Sequence, residues 1–333
     1  MDNIKRILLI HISGRVGDSL LAIPAIATLR NNFPNTEVDL LVHRNRLDLF
    51  ENIPNVNLRG SISEKRAWFK GWLALKKYDY VIVFNYANEL SNIVKFALRV
   101  GKRVIASPVF DKKINSKLFA VIPRLNSQHH IKSYLKYLVP FKIKELHTRI
   151  SFYPTQNEIN FAKSILAKIK LPRNSFLVGY QVCSFPTRSF RDWPLCNFIA
   201  LSKKIIKVKP MAFFVLFGAI EDRQKVSSFV EHFSHDQCLD LTGLSLRNTA
   251  AVMSLIDLYI GVDTGPTHMM SAFDVPMVAM YHGKFPSKYY APIGHPYCVT
   301  IDHPKKDKCT DKDSMADISV DHVFLKLNRF LQK

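Results

Sequence analysis

Two doubly wound α/β domains are what this sequence predicts, and three observations predict them. Apolar runs of strand length alternate with stretches of helical period, the pattern of βαβ units around a parallel sheet. The alternation pauses once, between Ile150 and Pro172, and then restarts. At 333 residues, 47% of them apolar, the chain is long for one domain and has material for two cores. The predicted division is residues 1–155 and 156–333, and the last helix, Val320 to Leu331, is long enough to pack back on the N-terminal domain. No internal repeat or low-complexity segment interrupts the pattern.

In the first half, Lys5 to Ile12 suits a central parallel strand and ends in a glycine-bearing loop, His11 to Asp18. The helix that follows places Leu20, Leu21, Ile23, Ile26 and Leu29 on a broad apolar face. Strands are expected at Glu37 to Val42, Val56 to Leu58, Tyr80 to Phe84 and Arg103 to Ala106, with helices near Leu47, from Glu64 to Leu75 and from Leu90 to Leu98. In the second half a helix from Glu158 to Ile169 precedes strands at Phe176 to Val182, Ala212 to Phe217 and Cys238 to Leu241. A helix from Leu246 to Leu255 then leads into the stretch Leu258 to Gly283, and Met277 to Tyr281 is the strand after it.

The net charge of +20 is unevenly placed. Residues 1–155 hold 25 Lys/Arg against 11 Asp/Glu, a net of +14, and residues 156–333 hold 22 against 16, a net of +6. The densest piece, Lys95 to Arg124, carries eight Lys/Arg and one acid, interleaved with Phe96, Phe110, Leu118 and Phe119. Charges with apolar residues between them suit an anionic membrane face or a phosphorylated lipid; a solvated basic face kept for solubility is the alternative. Nucleic acid would rest on charge alone, since no recognition motif accompanies it, and is not expected as a partner. Five cysteines without paired spacing read as reduced thiols, and no apolar run reaches the roughly 20 residues that span a bilayer or has the form of a signal peptide. The expected location is cytoplasmic.

Four stretches carry candidate chemistry. In the first, an apolar run turns at Asp263, Thr264 and Gly265 and meets Pro266 at a helix start, which aims helix N–H groups at the carboxyl edge of a sheet and favours a phosphate there. His268 falls in the first helical turn, near enough to bond such an anion; in the plainer reading Asp263 and Thr264 cap the helix and His268 packs on the turn. In the second, Gly14 to Asp18 lacks dinucleotide spacing, and Asp18 is either a carboxylate at the top of the sheet that takes a proton from a hydroxyl, or the N-cap of the next helix. The third, Gln181 to Pro194, gathers Ser184, Thr187, Arg188, Ser189 and Arg191 in one polar loop, hydroxyls beside arginines that suit a diphosphate. The fourth, Gly218 to Asp222, offers Glu221 or Asp222 to ribose hydroxyls, or to helix capping. Two metal readings are weaker: Asp311 and Asp313 lie in a Lys-rich polar segment, and His295, Cys298, His303 and Cys309 fit no familiar zinc spacing.

Assembled in order, Gly17 to Leu21 with Pro24, Thr187 to Pro194, Leu241 to Gly243 and Gly261 to His268, supported by Pro276, Gly283 and Ala291 to Gly294, make a chain that resembles the family 9 glycosyltransferases, the lipopolysaccharide heptosyltransferases. The resemblance implies a GT-B fold, two Rossmann-like domains facing an interdomain cleft, with the acceptor on the N-terminal domain and the sugar nucleotide on the C-terminal one. It implies inverting, metal-independent transfer from ADP-heptose, without cofactor, to an anionic lipid A/core oligosaccharide at the inner face of the cytoplasmic membrane. On that template Asp18 is the base, Thr187 and Arg191 stand at the phosphate, Asp263, Thr264, Gly265 and His268 hold the diphosphate and donor sugar, and Glu221 or Asp222 holds the ribose. Arg191 stands where relatives often carry Lys, which keeps the charge and changes the geometry. Another sugar nucleotide, a protein acceptor, or a non-catalytic nucleotide- or lipid-binding relative are the competing expectations.

Overall fold

A computed structural model of the chain describes residues 4–70, 77–84, 89–123, 127–169, 171, 174–234 and 237–332. It divides into two compact units, residues 1–148 and 149–333, so the expected division after residue 155 falls inside the second.

The first unit is built on six strands: β1 (Arg6–His11), β2 (Glu37–Val42), β3 (Asn57–Ser61), β4 (Tyr78–Phe84), β5 (Gly101–Ala106) and β6 (Ala120–Val121). They pair in parallel in the order β3-β2-β1-β4-β5-β6, so the order reverses at β1 and β4. The central strands are buried and apolar along Ile7–Ile10 of β1 and Tyr80–Phe84 of β4, as strands covered on both faces are. The helices are α1 (Val16–Asn32), α2 (Leu47–Phe50), α3 (Glu64–Lys70), α4 (Ser91–Val100), α5 (Lys112–Asn115) and α6 (His130–Leu135). Residues 71–75 of the helix expected after Glu64, and Arg124 of the basic stretch, lie outside the described residues. Leu20, Leu21, Ile23, Ile26 and Leu29 of α1 are buried, the face read from its spacing. At the amino end of this sheet the buried Asp39 carboxylate accepts from Arg59 Nε at 2.8 Å and Tyr78 Oη at 2.7 Å.

The second unit repeats the plan with α7 (Gln156–Lys168), β7 (Phe176–Gln181), α8 (Leu195–Val208), β8 (Ala212–Phe217), α9 (Arg223–Val230), β9 (Cys238–Asp240), α10 (Leu246–Met253), β10 (Leu258–Val262), α11 (Gly265–Met270), β11 (Met277–Tyr281), α12 (Ser287–Tyr290), β12 (Cys298–Asp302) and α13 (Val320–Leu331). The parallel order is β12-β11-β10-β7-β8-β9, reversing at β10 and β7. Tyr180, Phe198, Phe214 and Phe229 form one aromatic cluster beneath β7 and β8, and Trp193 joins it against Phe198. α7 opens with a capping box in which Thr155 and Glu158 satisfy each other's backbone N–H. Glu158 also pairs with Arg247 of α10 at 2.5 Å. α13 packs on α8 and on β11 and β12 of its own unit.

Candidate functional site

In the first unit the chain leaves β1 at its carboxyl end and turns through Ile12 to Arg15 into α1. α1 begins at Val16, so Asp18 lies in its first turn and is not the N-cap; that position falls to Arg15, whose side chain caps nothing. Ser13 holds the turn instead: its hydroxyl donates to Asp18 Oδ2 at 3.1 Å and accepts from the Arg15 N–H at 3.3 Å. Asp18 is half-buried, with one carboxylate oxygen fixed by Ser13. Beneath this loop His11 is fully buried among Phe50, Phe84 and Tyr134, and neither ring nitrogen has a hydrogen-bond partner among the described residues. Burial, and then the charge of His43, push its imidazole down to about 3. His43 also flanks the loop, where a Cβ on Gly14 would stand 3.3 Å from its ring.

In the second unit three strand ends converge. β10 ends at Val262, and Asp263, 4% exposed, receives Arg191 Nη1 on Oδ2 at 2.8 Å. Arg191 ends a 3₁₀ segment, Pro186–Arg191, and a second bond from the same nitrogen reaches the Asp263 carbonyl at 3.3 Å. Its guanidinium lies 3.6 Å from the centroid of the Phe285 ring, a cation–π contact. His268, in α11, brings Nε2 to 3.4 Å from Asp263 Oδ1, while its buried Nδ1 has no hydrogen-bond partner among the described residues. Asp263 therefore stands between two nitrogen groups and orients them. A carboxylate so placed repels an anion, and the groups left to meet one are the Arg191 guanidinium and the His268 ring that it holds.

Thr264 occupies the N-cap of α11 but makes no side-chain cap bond; its hydroxyl turns back to the Val262 carbonyl at 3.3 Å. Thr267 bonds the same carbonyl at 2.5 Å and Tyr259 Oη at 2.9 Å, tying α11 to β10 from inside. Gly265 and Pro266 open α11, and the missing N–H of Pro266 falls where no intrahelical partner exists.

The 3₁₀ segment is laced by Asp192. Its Oδ1 accepts from the Ser184 N–H and its Oδ2 from Lys225 Nζ, both at 2.7 Å, while Ser184 Oγ donates to the Arg188 carbonyl at 2.8 Å. Thr187 is exposed on this segment. After β8, Asp222 Oδ2 accepts from the Ala219 N–H at 2.9 Å and so closes the turn, whereas Glu221 is exposed. The structure thus brings Arg191, Asp263 and His268 together, places Thr264 and Gly265 beside them, and puts Thr187, Glu221 and Asp222 on the turns that follow β7 and β8. Sequence reasoning passed over Phe285 and Asp192. Gly283 is the one local signal for Phe285: a Cβ there would fall 2.0 Å from the Lys306 carbonyl, so the Phe285 turn needs glycine.

Among the described residues no group of three His, Cys, Asp or Glu stands close enough to hold a metal ion. His295 Nε2 lies 2.8 Å from the Phe273 carbonyl, Cys298 sits on β12, and His303 Nε2 is 3.0 Å from the Ser314 carbonyl. Cys309 lies against His282 at 3.3 Å. Burial pushes the thiols of Cys183, Cys238 and Cys298 up to about 12, which leaves them protonated and poor nucleophiles. Asp311 is paired with Lys284, and Asp313 with Lys305.

Two parallel sheets, each reversing strand order at its centre, define the class by architecture: a two-domain α/β chain of GT-B fold, with the Arg–Asp–His cluster at the carboxyl edge of its second sheet. The model of glycosyltransferase family 9 (heptosyltransferase) matches residues 72–318, and the chain belongs to that family. It is 24% identical over 284 residues to lipopolysaccharide heptosyltransferase 3 of Escherichia coli strain K12, covering 80% of this chain and 79% of that one. Its fold matches a family 9 glycosyltransferase from Veillonella parvula DSM 2008 with a TM-score of 0.81 at 18% identity, covering 98% of this chain and 97% of the other. It also matches the E. coli ADP-heptose lps heptosyltransferase II with a TM-score of 0.74 at 17% identity, covering 98% of each. Among the described residues no helix is long and apolar enough to cross a membrane.

Proposed function

We propose that this chain is an inverting, metal-independent heptosyltransferase that moves heptose from ADP-heptose to a hydroxyl of a lipopolysaccharide or lipooligosaccharide inner-core acceptor. The observation that carries the reading is the Arg191–Asp263–His268 cluster at the start of α11, a guanidinium and an imidazole fixed by one buried carboxylate at the carboxyl edge of a doubly wound sheet, in a family 9 chain. The second unit binds the donor. Arg191 and the first-turn N–H groups of α11 meet the diphosphate, and His268 bonds it or the sugar, with Thr187 on the neighbouring segment. Asp222 is engaged in its own turn, so Glu221 is the acid left for the ribose.

The first unit binds the acceptor, and Asp18 is the base. One carboxylate oxygen is held by Ser13, and the other takes the proton of the acceptor hydroxyl as its oxygen attacks C1. The C1–O bond to the diphosphate breaks in the same displacement. The electron pair leaves with ADP, where Arg191 and the N–H groups stabilise the added charge. The acceptor's lipid carries phosphates and acidic sugars, which fits the +14 excess in residues 1–155 and a site of action at an anionic inner-membrane surface.

The test is Asp18→Asn with ADP-heptose and truncated core acceptors, following ADP release and product mass. Turnover should fall by roughly 10²–10⁴-fold, the usual share of a general base, with donor affinity held. Near-normal turnover removes Asp18 as the base. A panel of other sugar nucleotides, run beside it, decides the donor.

A further inference from the structure

The outer edge of the first sheet carries a surface that the transfer chemistry does not use. β5 ends at Ala106, and the chain runs through Val109 and Phe110 into the single turn of α5 and back to β6. Val109 and Ile114 enter the core beneath. Asn115 bonds both backbone groups of Val109, donating to its carbonyl at 2.8 Å and accepting its N–H at 2.9 Å, so the connection is pinned at both ends. A pinned connection has the means to bury its largest apolar side chain, yet Phe110 is 70% exposed, with Phe119 and Val121 at 51% and 45%. Lys112, Lys113 and Lys117 lie exposed on the same connection, and none has an ion pair among the described residues. Asp111, the one acid between residues 90 and 123, is spent as the cap of α5, accepting the Lys113 N–H at 2.9 Å. α4, packed beside α5, adds exposed Lys95.

We infer that this edge is where the protein docks on an anionic bilayer, Phe110 and Val121 entering the headgroup layer and Lys112, Lys113 and Lys117 meeting lipid phosphates. The inference rests on the membrane-borne acceptor proposed above and says where contact is made. Charge selects the occupant: lysines without carboxylate partners around an exposed aromatic complement an anionic interface, while β6, two residues long, gives a pairing strand almost nothing to bond. Position agrees. Phe110 follows the carboxyl end of β5, the same edge of the sheet that carries Asp18 after β1, and two strand spacings, roughly 10 Å, separate β1 from β5. An acceptor anchored in lipid beside Phe110 lies near the Asp18 loop without leaving the surface.

The experiment is cosedimentation of the full chain with vesicles of phosphatidylcholine alone or mixed with phosphatidylglycerol, at low and high salt. The variants are Phe110→Ser, a triple Lys112→Gln, Lys113→Gln, Lys117→Gln, and a control triple in the second unit, Lys163→Gln, Lys168→Gln, Lys203→Gln. The wild type should bind only the anionic vesicles and release in salt. The first triple should weaken binding on the order of a hundredfold, at about fivefold per lysine. Phe110→Ser should weaken it several-fold with the salt response intact, and the control should bind as wild type. Turnover on a water-soluble acceptor should be unchanged in all, which also reports folding. If both test variants bind as the wild type does, the docking edge lies elsewhere and the membrane reading stands. Wild-type protein indifferent to both vesicles removes the membrane reading, and this surface with it. Loss of soluble turnover in step with binding makes the edge structural and overturns the inference.

Discussion

His11 predicts a specific acid sensitivity of the first unit. In the folded chain its imidazole is buried with no hydrogen-bond partner among the described residues and holds a proton only near pH 3, whereas in the unfolded chain it titrates at the ordinary 6.5. Below pH 6.5 the unfolded state takes up a proton that the folded state refuses. Stability from this group is therefore complete above pH 6.5 and falls as the pH drops toward 3. At pH 5 the difference is 1.5 pH units, or about 2 kcal/mol, and it hardly depends on the folded value so long as that lies well below 5. β1 is central, so its amides exchange when the unit opens, and 2 kcal/mol corresponds to roughly a 30-fold loss of protection. Hydrogen exchange read by mass over residues 4–12, corrected for intrinsic rates, should show that loss between pH 7.5 and pH 5 in the wild type. His11→Leu, close in volume and without a titrating group, should lose about 30-fold less. Equal losses in the two proteins would refute the picture of a neutral, unpartnered imidazole under the Asp18 loop.

Other expectations follow from the second unit. Arg191→Met leaves the buried Asp263 carboxylate without its ion-pair partner and should cost about 3–5 kcal/mol in thermal unfolding; adding Asp263→Leu should restore most of that. ADP affinity should stay lost in the double variant, and calorimetry that finds it unchanged would remove Arg191 from the donor site. Glu221→Gln should weaken ADP about tenfold, the loss of a charged hydrogen bond, while Asp222→Asn chiefly loosens the turn at Ala219; the reverse pattern would exchange their roles. Gly283→Ala forces Lys306 or Cys309 to move and should lower the melting temperature and the ADP affinity together, since the same turn carries Phe285 onto Arg191. An unchanged melting temperature would show that the contact relaxes freely.

Much of the fold was legible because parallel strands buried on both faces declare themselves as apolar runs. Glu37–Val42, Ala212–Phe217 and Met277–Tyr281 fall where the sequence puts them, and Val320–Leu331 has the helix its spacing predicts. What escaped lies at the sheet edges. Ala120–Val121 is too short to show a period, and Cys298–Asp302 has one fully buried residue among five, so neither gives an apolar run. In the site, Asp263, Thr264, Gly265 and His268 are visible as one local string, but the bond from Arg191 spans 72 positions and no local pattern contains it. Thr264 misled in a smaller way: its residue type suits a cap, and the Val262 carbonyl, freed at the end of β10, claims the hydroxyl. Asp18 shows the converse error, since a helix starting three residues earlier than expected turns a cap into a first-turn side chain.

The pairing of Arg191 with Asp263 also fixes the range over which each half of the molecule is felt. Opposite charges 2.8 Å apart nearly cancel beyond a Debye length of about 8–10 Å, so the donor cradle casts almost no far field and recognises its anion only on contact. The excess of +14 over residues 1–155 has no such neutralising partner and reaches outward into solution. Dissolved salt should accordingly slow the capture of a charged lipid far more than that of a nucleotide, and a single titration with ionic strength would separate the two arrivals.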